Sequence, residues 1–256
     1  IKTVPSFLAN QMVEKIPVQW EVTLGQSLLD ILPIKKNPDQ KIIMVLQDTV
    51  DLLVHSGSPS PYDIRVYISP VKRVNALALP GGPIVVFEGL LHEAESPEEL
   101  AGVLAHEIQH IQLRHSTNGI IQSLSKSLLV ALFLGDINAV LDGIIRIAGE
   151  LDTLGLSREM EAEADKKGME LIIASNINPH GVIRIFEKLT QEDSRHEDLS
   201  KQSEMDEENA TKLFSYFSTH PSGQDRLVLL KKHMAPYTDR TWTPLFPNLD
   251  WNKIKP

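Results

Sequence analysis

The 256-residue chain is expected to fold as a mainly α-helical α+β domain with a small β-sheet. Three observations carry that expectation. Apolar residues recur at three-to-four-residue spacing in Gln40 to His55 (Ile43, Val45, Leu46, Val50, Leu53, Val54), in the stretch after Ser96 (Leu100, Val103, Leu104, Ile108, Ile111) and in Glu159 to Ala174. Ile64 to Ile68 alternates instead, and Val74 to Leu79 and Ile84 to Phe87 flank the turn Pro80-Gly81-Gly82-Pro83, which together read as a small sheet. An apolar share of 42% suffices for a real core.

Taken in order, the first 38 residues are mixed in character, and Val18-Gln19-Trp20-Glu21-Val22 reads as a short strand. The Gln40 to His55 helix stops at Ser56-Gly57-Ser58-Pro59. Ser96-Pro97-Glu98-Glu99 starts the next long helix, with serine as N-cap, proline in the first position and Glu99 closing a capping box. Leu128 to Leu134 is the longest apolar run. With Asp136, Asp142, Arg146 and Glu150 interspersed, Ile120 to Leu154 reads as amphipathic helices packed on the domain rather than a membrane span. A helix from Pro179 to about Leu189 precedes Gln191 to Asn209, which holds eight carboxylates and reads as an exposed flexible loop. A last helix runs from about Gln224 to His233, and residues 235–256 read as an irregular tail rich in proline and aromatic residues.

The chemistry is concentrated in His106-Glu107-Ile108-Gln109-His110. On a helix His106 and His110 project from one face a turn apart, so both can reach one Zn²⁺ at about 2.0–2.1 Å. Glu107 lies beside them, placed to take a proton from a water held by the metal, which is the arrangement of a metalloprotease signature. A core helix with incidental surface histidines is the plain alternative, and it leaves the Glu107 spacing unexplained. A net charge of −9 with no basic cluster argues against a nucleic-acid ligand. The absence of cysteine excludes thiolate ligands, cysteine nucleophiles and disulfides.

A catalytic zinc keeps three protein ligands, so the two histidines need a partner. The best candidate is Glu161, in Ser157-Arg158-Glu159-Met160-Glu161-Ala162-Glu163-Ala164-Asp165. Asp165 shares its face and could accept the second ring N–H of His106 or His110. Glu159 and Glu163 fall on other faces and read as solvated charges.

These residues resemble the HtpX-like and CAAX prenyl protease family of zinc metallopeptidases, a branch of the gluzincins. Asn75-Ala76-Leu77-Ala78-Leu79-Pro80-Gly81-Gly82, Gly89-Leu90-Leu91 and Thr219-His220-Pro221 with Arg226 match further family elements in order, so the resemblance spans about Ile64 to Met234. It implies a zincin-like domain with one Zn²⁺ per chain, held by His106, His110 and Glu161. Glu107 would be the general base and Asp165 the residue that orients a ligand. It also implies that Asn75, Ala76, Leu77, Ala78 and Leu79 form an edge strand that holds an extended peptide by strand addition. His220 would either steady the oxyanion or occupy the open metal position. Arg226 would hold the Glu161 helix or the His220 loop through an ion pair.

The expected organisation is an N-terminal extension with the first core helix (1–63), a catalytic core (64–234) and the tail (235–256). The function implied is a zinc endopeptidase of cell-envelope quality control, periplasmic or membrane-anchored, acting on unfolded or membrane-associated proteins. The alternative is a zinc-binding, autoinhibited chaperone or assembly factor. Relatives often carry spanning helices and this chain has none; it begins on isoleucine, so an anchoring segment is expected either ahead of Ile1 or not at all. Residues before Ile64 match no motif of the family, and no tetratricopeptide repeat follows Met234.

Overall fold

A three-stranded sheet divides the protein into two apolar layers. In the computed structural model, which describes residues 6–124, 126–134, 136, 139–140, 142–143, 156–202, 220 and 223–256, the strands are β1 (Arg65–Ser69), β2 (Ala76–Ala78) and β3 (Pro83–Phe87). Their order is β1-β3-β2, with β3 parallel to β1 and antiparallel to β2. Side chains alternate across a pleated sheet, so Ile84 and Val86 enter one layer while Val85 and Phe87 enter the other. The central strand is therefore apolar throughout, as a strand covered on both faces should be.

The larger layer is closed by α3 (Gln40–Ser56), α4 (Glu88–Glu93), α5 (Pro97–Gln112), α8 (Arg158–Ala174), α9 (His180–Gln202) and α10 (Gly223–Met234). The smaller layer is closed by α2 (Val18–Ile31) through Leu28 and Leu29, α6 (His115–Ser123) through Ile120, and α7 (Lys126–Leu134) through Leu128 and Ala131, with Leu124 between the last two. A first helix, α1 (Ser6–Lys15), packs Ala9 and Val13 on Ile121 of α6.

Helix α5 crosses the larger layer as its most enclosed element. Residues 99–111 are all buried, so the polar members of this stretch sit in the interior beside leucine and alanine. Ser96 caps it as expected, its Oγ accepting from the Glu99 N–H. The Glu99 carboxylate is shifted from the expected capping-box partner. It accepts from the Glu95 N–H at 3.0 Å, because Arg184 and Lys188 of α9 draw it toward their side at 3.1 and 2.9 Å. The C-terminal tail crosses the same end of α5: Trp251 is buried and donates to the Ala94 carbonyl, and the Leu245 N–H donates to Glu98.

Two expectations are corrected. Val18 to Val22 is not a strand but the first turn of α2. The residues that α2 buries are Glu21, Gly25, Leu28 and Leu29, at helical spacing, while Val18 and Val22 are exposed; five residues alternating in polarity also satisfy an i, i+4 pattern. The polar stretch from Gln191 does not begin a loop, because α9 continues to Gln202. Its residues are good helix formers without glycine or proline, and Phe186 and Leu189 anchor the preceding turns. Residues 203–209 of that stretch, and 144–154 of the amphipathic region, lie outside the described residues.

Helix α2 is fastened to the rest by close backbone contact and by one buried carboxylate. A Cβ on Gly25 would stand 1.9 Å from the Pro80 carbonyl oxygen, so only glycine lets the helix lie on that turn. Gly81, with φ 76°, supplies the turn's left-handed residue. Glu21, buried, accepts from the hydroxyls of Tyr62 and Thr117 and pairs with Arg114 at 2.9 Å. Removing it leaves the largely buried Arg114 guanidinium with the Ile16 carbonyl but no counter-charge, and takes the acceptor from Tyr62 and Thr117, so Glu21→Ala is expected to cost about 3 kcal/mol. Urea unfolding checks this: the midpoint should fall with the slope unchanged, and a loss well under 1 kcal/mol would show that the carboxylate does not hold α2.

Candidate metal centre

Helices α5 and α8 approach so closely that a Cβ on Gly168 would lie 3.3 Å from the His106 backbone nitrogen. That approach brings Glu161 and Asp165, one turn apart on α8, against the histidine face of α5. Ser157 caps α8 by accepting from the Met160 N–H. His220, just ahead of α10, completes the group.

One donor atom each from His106, His110, Glu161 and His220 lies within 4.8 Å of the others, and all four residues are buried. The spacing suits a small cation. Nε2 of His106 is 3.4 Å from Oε2 of Glu161, Nε2 of His110 is 3.5 Å from Oε1, and Nδ1 of His220 is 3.1 Å from both carboxylate oxygens. Nδ1 of His220 is 3.3 Å from Nε2 of His106, and the Nε2 atoms of His106 and His110 are 2.8 Å apart. Ligands at about 2.0–2.1 Å in a tetrahedron stand about 3.3 Å from one another. Glu107 points the same way. Both its oxygens are buried with no hydrogen-bond donor among the described residues, and Oε1 is 3.5 Å from Nε2 of His220. A buried carboxylate in that state marks a place where a cation or a reacting water belongs.

Behind the ligands, Asp165 and Arg226 form a fixed scaffold. Nδ1 of His106 stands 2.9 Å from Oδ1 of Asp165. Asp165 in turn accepts two hydrogen bonds of 2.7 Å from Arg226 in a fork that only arginine can supply. The same guanidinium lies 2.9 Å from Glu161, donates to the His220 carbonyl at 3.1 Å and stacks over Phe186. It thus touches both elements proposed for it, the Glu161 helix and the His220 segment.

Charge follows this geometry. Burial alone would lower the His106 pKa, but the Asp165 and Glu161 carboxylates outweigh it and bring it up to about 9. Burial takes His110 well below its ordinary value, aided by His106. Burial would raise Glu161, yet His220 and His106 hold it well below the usual carboxylate range; burial would likewise raise Asp165, but Arg226 and His106 lower it. The cluster keeps its carboxylates charged, as a cation site requires.

One residue of the site escaped the sequence reading. His115 follows Arg114, whose left-handed backbone (φ 60°) turns the chain at the end of α5 and returns His115 beneath His110. The two Nδ1 atoms are 3.1 Å apart. Were His110 to present Nε2 to a metal, its Nδ1 would donate to His115 Nδ1, and His115 would carry its proton on Nε2, 3.6 Å from Glu163. His115 can accept because burial takes its pKa down to about 4. Glu163 is correspondingly more than a solvated charge, although it is half exposed and also pairs with Lys167. Glu159 is exposed as expected. The only signal for His115 was a histidine five residues beyond the motif, a spacing that on an uninterrupted helix would point elsewhere.

Of the strand expected to hold substrate, Leu77, Ala78 and Leu79 line the cleft beside Glu107, His110 and His220, while Asn75 and Ala76 are buried away from it. The Leu79 N–H and Asn75 carbonyl bond to β3, so Ala76 and Ala78 turn their backbone groups outward. Asn75 Oδ1 accepts from the Ala76 N–H, and Ser116 donates to the Ala78 carbonyl.

The sequence profile of Peptidase family M48 matches residues 37–234. The chain belongs to that family. M48 members are metallopeptidases, in agreement with the HtpX-like resemblance and with the buried His/Glu cluster. The match takes in α3 and leaves α1 and α2 outside. Among M48 relatives, the chain is similar to the mitochondrial metalloendopeptidase OMA1 of Arabidopsis thaliana, at 32% identity over 66% of this chain and 31% of that protein. It is also similar to a putative beta-barrel assembly-enhancing protease of Vibrio cholerae, at 27% over 81% of this chain and 42% of that one. With the metalloprotease LoiP of Escherichia coli it shares 27% over 68% and 64%. The chain thus spans less than two thirds of each of these relatives.

Outer carboxylate and backbone partners of metal-bound histidines typically affect metal affinity by about 10–100-fold. His115→Ala is expected to weaken metal retention by that factor, read by chelator competition on protein of native circular dichroism. Unchanged retention would mean that His115 does not orient His110.

Proposed function

We propose that this chain is the catalytic part of a zinc-dependent endopeptidase acting on unfolded or membrane-associated proteins in quality control of the cell envelope. The observation that supports it most is the convergence of His106, His110 and Glu161 on one point with the buried Glu107 carboxylate beside them. Two imidazoles and a carboxylate suit Zn²⁺, one per chain. When bound, zinc would supply Lewis acidity to the scissile carbonyl and acidify a water.

The protein's own groups do the rest. Glu107 takes the proton of the attacking water and passes it to the leaving amine. Asp165 and His115 hold the two imidazoles in the tautomer that presents Nε2. Arg226 fixes Asp165, Glu161 and the His220 carbonyl at once. His220, with Nε2 near Glu107, is placed to donate to the oxyanion of the tetrahedral carbon. The Ala76 carbonyl and the Ala78 N–H, the outward backbone groups of β2 not engaged by Asn75 or Ser116, would align an extended peptide, which suits substrates of varied sequence.

The envelope assignment draws on the relative named as a beta-barrel assembly-enhancing protease. No helix among the described residues is long and apolar enough to cross a membrane, so an anchor would lie in another part of the protein.

A second reading, a zinc-holding chaperone or assembly factor, draws on the position of His220. Its Nδ1 stands 3.1 Å from Glu161, where it would serve as a fourth ligand and close the site. The two readings part at Glu107→Gln. The variant should retain metal and lose hydrolysis of unfolded casein by about 100- to 10,000-fold, the usual contribution of a positioned base. Glu161→Gln should lose metal and activity together. Cellular complementation by Glu107→Gln would favour the chaperone reading, and full zinc with full hydrolysis in Glu161→Gln would remove that residue from the ligand set.

A further inference from the structure

The cleft beside the metal centre has a second, apolar compartment that the chemistry above does not use. It encloses about 530 Å³ including its open mouth. One wall is catalytic: Glu107, His110 and His220. The opposite wall is Leu77, Ala78, Leu79 and Pro80, the strand and turn along which a substrate would lie. The remainder is Ser116, Gly119 and aliphatic side chains, with the buried Leu28 and Ile120 as its floor and the half-buried Leu156 beside them.

We propose that this compartment receives the side chain of one residue flanking the scissile bond and selects a large uncharged side chain such as leucine, methionine or phenylalanine. The inference rests on the peptidase reading for its place in catalysis and on geometry for its selectivity. Successive side chains of an extended peptide point to opposite sides, so only one of the two flanking residues enters. Apart from the groups of the reaction centre, Ser116 is the sole polar side chain among the described residues of the lining. A charged side chain would be buried there without a partner other than Glu107, which the reaction needs.

The selectivity has a specific origin in this chain. Leu28 belongs to α2, outside the stretch matched by the M48 profile, and is pressed into the floor by the Gly25 contact with Pro80 and the Glu21 clamp. Gly119 on α6 sets the width: a Cβ there would stand 3.2 Å from Cδ2 of Leu156. Replacing Leu28 should therefore deepen the compartment, and adding a side chain at position 119 should fill it.

The test is cleavage-site profiling of a denatured-proteome peptide mixture by the zinc-loaded full chain. One position next to the cut should be enriched in Leu, Met and Phe and depleted of Asp, Glu, Lys and Arg. Leu28→Ala should shift the preference toward Phe and Trp. Gly119→Leu should shift it toward Ala and Gly, changing the Leu-to-Ala ratio of kcat/KM at least about tenfold, the least that one methylene in a close-fitting pocket commands. Cuts without side-chain preference, or preferences that neither variant alters, would overturn the proposal. Independently of hydrolysis, calorimetry with leucine, alanine and aspartate hydroxamates should show the leucine probe binding tightest to wild type and losing that advantage in Gly119→Leu. Equal binding of the three overturns the pocket. A wild type that prefers the leucine probe but cleaves nothing counts against the peptidase reading alone.

Discussion

Everything in this protein's site depends on burying three carboxylates, Glu107, Glu161 and Asp165, around two helices that touch almost backbone to backbone. Such burial is costly unless each charge is met. Arg226 meets one of them outright and shares itself between two, through its fork on Asp165 and its contact with Glu161. Glu161 and Asp165, both held charged, outnumber the one guanidinium between them, and a cation at the cluster would balance the excess. The same two carboxylates outweigh burial at His106 and bring its pKa up to about 9. The close approach at Gly168, the fork of Arg226 and the two oriented imidazoles all serve this one balance of charge.

The parts of the fold with a strong local period were legible in the sequence. α3, α5 and α8 carry apolar residues at helical spacing over three or more turns, and their caps, Asp39, Ser96 and Ser157, all accept from early backbone N–H groups. That His106 and His110 share one face, and Glu161 and Asp165 another, was legible for the same reason, since i, i+4 spacing fixes which side chains lie together. Legibility failed where a short window fits two periods, as at Val18 to Val22, and where polarity was taken for irregularity, as from Gln191 to Gln202. His115 was illegible because its position is set by a single left-handed residue, Arg114, which no side-chain pattern announces. The wall formed by Leu28 depends on tertiary contact across more than fifty residues of chain.

Family membership and chain-specific features divide along the same boundary. The stretch matched to M48 contains the His106, His110, Glu161 and His220 cluster, Glu107 beside it and the Asp165–Arg226 scaffold behind it. α2 lies outside that stretch, yet it covers the second face of the sheet and closes the floor of the cleft. An element so placed can vary the shape presented to substrate while the ligand geometry stays fixed, because it touches the site through aliphatic contact and not through any ligand.

The most direct measurement is zinc K-edge X-ray absorption on the zinc-loaded protein. The account predicts one ion in a four-coordinate shell of nitrogen and oxygen at about 2.0–2.1 Å, with outer scattering from imidazole rings, one of which disappears in His106→Ala. A six-coordinate all-oxygen shell, or a spectrum that His106→Ala leaves unchanged, would contradict it.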